Sequence, residues 1–136
     1  MTVRVQHEDF DLTTELARLR IGRPETGAVV AFVGTVREMN ATGVVSSMEL
    51  EHYRGMTEAA LEAIAAEASR RWLLIDILVV HRIGWLRGCD RIVLTAVAAR
   101  HRGEALAACE FVMDHLSTRV PFLKNEVNQD RVQSLC

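Results

Sequence analysis

The chain has 136 residues, 49% apolar and 25% charged, with a formal net charge of −2 at neutral pH. That suits one domain of ordinary globular composition, able to bury about two-thirds of its unfolded surface. It argues against a general nucleic-acid binder, which carries a basic excess, and the richest apolar runs, residues 28–33 and 73–80, are too short to cross a bilayer.

The amino terminus, Met1-Thr2-Val3-Arg4-Val5-Gln6-His7-Glu8-Asp9, lacks the apolar core of a secretion signal. From Asp11 to Ile21 the spacing of Leu12, Leu16 and Leu19 predicts a short helix, with Asp11 as its N-cap. Gly27 to Val36 is continuously apolar and valine-rich, which predicts a strand buried on both sides. Ser46 to Tyr53 alternates, Met48 and Leu50 against Glu49 and Glu51, as a half-exposed strand does.

Thr57 to Trp72 predicts an amphipathic helix with Leu61, Ile64, Ala65, Ala68 and Trp72 inward. Its glutamates come early and its arginines late, as the helix dipole prefers. Leu74 to Ile83 and Arg91 to Ala99 are two further strands, joined around Arg87-Gly88-Cys89-Asp90. A second long helix is expected from Gly103 to Thr118, ended by Pro121, with Ala105, Ala108, Cys109, Val112 and Leu116 inward. Phe122 to Val127 reads as a closing strand, and the polar stretch 128–136 as a mobile tail. This order predicts a single α+β domain over residues 1–136, a mixed or antiparallel sheet with helices on one face. The cysteines (Cys89, Cys109, Cys136) are odd in number and form no CxxC pair. Neither a zinc site nor a disulfide framework is expected, and a reducing cytoplasm is the expected compartment.

Lys124 is the only lysine beside fifteen arginines. Arginine keeps its charge at any working pH, whereas a desolvated lysine can release a proton. Arg37 closes a buried strand, His101 and Arg102 precede the second long helix, and Arg119 and Lys124 flank its exit. Strand ends and loops are where scaffolds present functional groups, and a helix N-terminus attracts anions. Together these cations suggest a pocket for a small phosphorylated molecule. Each also has a plain structural reading: Arg37 as a solubilising strand end, His101 as a cap, Arg102 as a surface charge, Arg119 as a partner of the helix dipole. His81-Arg82, His52 and Tyr53 read as packed rather than reactive, and Met113 as core.

Gly27-Ala28-Val29-Val30, Phe32-Val33-Gly34-Thr35-Val36-Arg37, Leu50-Glu51-His52-Tyr53, Gly55-Met56, His81-Arg82-Ile83-Gly84, His101-Arg102 and Phe111 to Glu126 occur in one order. In that combination the chain resembles the large, catalytic subunit of molybdopterin synthase. The resemblance implies an α/β hammerhead fold and an enzyme of molybdenum cofactor synthesis. Such an enzyme inserts two sulfurs into cyclic pyranopterin monophosphate (precursor Z). The sulfur comes from the thiocarboxylated Gly-Gly tail of a small ubiquitin-like subunit, within a heterotetramer built on a central homodimer. No metal or cofactor is implied.

By the same resemblance Lys124 is catalytic. Thr35, Val36, Arg37, His101, Arg102, Ser117, Arg119, Lys124, Asn125 and Glu126 bind substrate, the cations converging around one phosphorylated pterin. Two departures stand out: Ser117 occupies the place of a second family lysine, and the family's tryptophan-containing segment is missing after Arg131-Val132. A weakly active or non-catalytic paralogue is therefore the first alternative. A small-anion-binding regulatory domain is the second.

Overall fold

The computed structural model describes residues 1–37, 39–40, 43–120 and 122–129, with side chains for 1–37, 47–120 and 122–125. The expected stop at Pro121 and the tail beyond residue 129 lie outside the described residues. Two sheets organise the chain, where one was expected. The main sheet has the order β1-β5-β7-β2, formed by β1 (Thr2–Gln6), β5 (Asp76–Arg82), β7 (Arg91–Ala99) and β2 (Ala28–Thr35). It is mixed, since β1 pairs parallel to β5 while the other ladders are antiparallel. The second sheet holds β3 (Met39–Asn40), β4 (Gly43–His52), β6 (Gly84–Arg87) and β8 (Phe122–Gln129).

Helices cover both faces of the main sheet, correcting the one-face expectation. On one face α2 (Met56–Arg71) and α3 (Arg102–Arg119) bury Leu61, Ile64, Ala65, Ala68, Ala105, Ala108, Val112 and Leu116. These pack on Ile77, Val79, Val93 and Val97, one alternating set of β5 and β7. The other set, Leu78, Val80, Leu94, Ala96 and Ala98, meets Phe10 and Leu19 beneath α1 (Leu12–Arg20). Burial on both faces explains why β5 and β7 read as unbroken apolar runs. Asp11 caps α1 as expected, its Oδ1 accepting from the Thr14 N–H at 3.2 Å.

The apolar run of β2 misled. It forms an edge of the main sheet, with Ala31 and Phe32 exposed at its middle. Strand β1 was missed because it has only five residues, and β6 because Gly84 hides a change of sheet. Gly84 has φ 89°, and a Cβ there would lie 2.7 Å from His7 Nδ1, so only glycine makes this corner. β8 extends to Gln129, two residues beyond the expected strand.

Candidate active site

One end of the main sheet meets the second sheet. There Met48 and Leu50 of β4 and Leu86 of β6 form a buried apolar cluster with Val36, just beyond β2. Val36 is held on both sides: its N–H donates to the Asp90 carbonyl at 2.9 Å, and its carbonyl accepts from the Cys89 N–H at 3.0 Å. Only 4% exposed, Val36 anchors the segment. Thr35 and Arg37 on either side of it are exposed.

Register sets Lys124 beside the same cluster. In the antiparallel β4–β8 ladder Lys124 pairs with Leu50, Phe122 with His52 and Glu126 with Met48. Directly paired residues share a face, so Lys124 lies on the Leu50 side while its end remains exposed. Asn125 pairs with Glu49 and lies on the face opposite to Lys124. The side chain of Glu126 is outside the described residues.

At the exit of α3, Ser117 is turned onto its own helix, its hydroxyl donating to the Met113 and Asp114 carbonyls at 3.0 and 3.1 Å. Arg119 leans instead on α2, with Nη1 3.5 Å from Glu67 Oε2, while Arg71 holds the other Glu67 oxygen at 2.9 Å. The hydrogen bond from Arg71, then the charges of Arg71 and Arg119, outweigh desolvation and hold the Glu67 carboxyl below its usual range. Arg119 thus belongs to an exposed charge cluster on the helices.

His101 and Arg102 sit elsewhere. His101 is the N-cap of α3, without a side-chain capping bond, and both residues are exposed. They follow β7, whose last residue Ala99 pairs with Ala28, the first of β2, while Thr35 pairs with Arg91. Gly27 closes this corner: its N–H donates to the Ala99 carbonyl at 3.0 Å, and a Cβ on it would lie 2.0 Å from the Arg100 carbonyl oxygen. The two ends of β2 are seven residues apart, about 23 Å at strand rise. Within one chain, then, Arg37 and Lys124 share one end of the sheet, and His101 and Arg102 mark the other. The expected convergence of all four does not occur inside a single copy.

The thiol of Cys109 is no candidate nucleophile: it is buried under α3, and desolvation pushes its pKa up to about 11. Two histidines read as packed lie on β5 and β4. His81 is 5% exposed and stacks on Phe122, while His52 lies with Nε2 3.6 Å from Glu58 Oε1. The chemistry at this end is cationic, with exposed Arg37 next to Val36 and exposed Lys124 paired with Leu50, both beside the buried apolar cluster.

The fold and its exposed cations define a small α+β protein of two sheets that presents basic groups at the ends of an edge strand. The chain belongs to the MoaE protein family, whose sequence model matches residues 5–119. A molybdopterin synthase catalytic subunit of Ralstonia nicotianae is 61% identical over 125 residues, 92% of this chain and 71% of that protein. The molybdopterin biosynthesis MoaE protein of Burkholderia ambifaria superposes with a TM-score of 0.84 at 57% identity, over 90% of this chain and 80% of that one. A molybdopterin synthase structure from Staphylococcus aureus gives 0.84 at 32% identity, over 93% and 91%. Among the described residues no helix is long and apolar enough to cross a membrane.

Proposed function

We propose that the chain is the catalytic subunit of a molybdopterin synthase, acting in the cytoplasm as a homodimer that docks a small ubiquitin-like sulfur carrier on each copy. It passes sulfur from the carrier's C-terminal thiocarboxylate to cyclic pyranopterin monophosphate, forming the dithiolene. The observation that carries the reading is the placement of cations at the two ends of β2, an edge strand. An antiparallel approach of two β2 edges, related by a two-fold axis near the exposed Phe32, sets the Ala28 end of one copy beside the Thr35 end of its partner. His101 and Arg102 of one copy then face Arg37 and Lys124 of the other, and two complete sites form.

In such a site the guanidinium groups and the α3 N-terminus hold the phosphate and the charge that develops as the ring opens. Lys124, paired with Leu50, transfers a proton or stabilises the sulfur-transfer intermediate. The nucleophilic sulfur arrives with the carrier, so the inert Cys109 is no obstacle. Ser117 supplies no positive charge, which favours a slow enzyme over a fast one. Single-turnover conversion of the pterin by thiocarboxylated carrier tests the proposal. Dithiolene formation supports it; a confirmed complex that yields none leaves a binding partner without catalysis.

A further inference from the structure

Strand β8 carries Lys124 on a single ladder: among the described residues it pairs with β4 and no other strand. Its own sequence does little to choose a register. In Phe122-Leu123-Lys124-Asn125-Glu126-Val127 apolar residues fall on both alternating sets. A slip of one residue exchanges the faces of a strand, and weak patterning leaves such slips poorly opposed. Here it would turn Lys124 to the outer face beside Glu49 and Glu51, and Leu123 inward.

A ring contact favours the observed register. The His81 ring, at the end of β5 in the main sheet, lies 4.0 Å from the Phe122 ring at an interplanar angle of 18°. The imidazole is itself fixed, because its Nδ1 is 2.8 Å from the Arg82 carbonyl oxygen, which can only accept. Nδ1 therefore carries the hydrogen, and the ring plane is set by the β5 backbone. His52 is the ladder partner of Phe122, and its Nε2 lies 3.6 Å from Glu58 Oε1. Phe122 is thus paired in the second sheet and stacked on a side chain of the main sheet, two residues before the amine.

We propose that His81 is a positioning residue for Lys124: by stacking on Phe122 it pins the register of β8 and thereby the face on which the amine is presented. The inference rests on the reading of Lys124 as the reactive amine, but its structural half does not, and the two are separable. Lys124 is the only lysine, so acylation by an amine-selective reagent followed by peptide mass spectrometry reports this side chain with only the N-terminal amine as background.

In the full chain with its carrier, His81→Ala is expected to lower kcat by about 100-fold, with KM moving much less, as misplaced catalytic groups do. Amide exchange in the β4–β8 ladder should quicken by about tenfold or more as that local unit loosens. Acylation of Lys124 should accelerate with it. His81→Phe retains an aromatic face and is expected to restore slow exchange, slow acylation and turnover together. Unchanged exchange and acylation in folded His81→Ala overturn the proposal, whatever turnover does. Should that variant fail to fold, Phe122→Ala removes the stack from the half-buried side, and the same two readouts decide. Loss of turnover in the parent protein would sink the proposed function while leaving exchange and acylation to judge the register.

Discussion

Mixing two inactive variants is expected to regenerate activity. Arg102→Ala removes a cation from one end of β2, and Lys124→Ala removes the amine from the other. Each homodimer then has two defective sites and is expected to show no measurable turnover. The ends are about 23 Å apart in one chain, beyond the joint reach of the two side chains, so a complete site must draw on both copies. In a mixed dimer one site collects both lesions and the other collects neither. Random exchange at equal concentrations makes half the dimers mixed, and half the sites in those intact, so about a quarter of wild-type turnover should return. The assay is dithiolene formation after the two variants are dissociated and reassociated, with native mass spectrometry to count mixed dimers. Mixed dimers present at the expected level without recovered activity would refute the shared site, because a site contained in one chain would be damaged in every copy.

Ser117→Lys is expected to raise single-turnover rates several-fold if the missing charge limits transfer, and a flat or lowered rate would show that transfer proceeds without it. Leu61→Ala, at a position 1% exposed between α2 and the main sheet, should cost about 2–5 kcal/mol by denaturant titration, and a smaller loss would mean the cavity collapses. Stability should also fall with pH through His81. Desolvation, together with the nearby His52, depresses its pKa from 6.5 to about 4 against the backbone hydrogen bond that raises it. The unfolded chain therefore binds the extra proton first. Stability is complete above about pH 6.5 and is lost as pH falls toward 4, by up to about 3 kcal/mol. His81→Phe should remove that part of the slope, and an unchanged slope would assign it to other groups.

Local pattern made α1, α2 and α3 legible, because Leu12, Leu16 and Leu19, or Leu61, Ile64, Ala65 and Ala68, repeat with the period of a helix wherever the chain goes next. The same holds for the alternation of Met48 and Leu50 against Glu49 and Glu51 in β4, and for the unbroken apolar runs of β5 and β7. Periodicity does not encode partners. β2 reads as a central strand yet lies at an edge, since valines along a strand say nothing of which neighbours pair with it. Gly84 likewise gives no local sign that the chain leaves one sheet for another there.

The family pattern picked out Arg37, His101, Arg102 and Lys124, but their grouping depended on the register of β2 with β7 and of β8 with β4. Those registers set Arg37 and Lys124 at one end and His101 with Arg102 at the other, and they turned Asn125 away from Lys124. They also brought His81 onto Phe122, across forty residues of chain. Sequence by itself determined which segments fold and which residues carry charge or bury apolar surface, because those properties act over a few neighbouring residues. Tertiary structure alone decided which charges meet, because that depends on pairings between strands far apart in the chain.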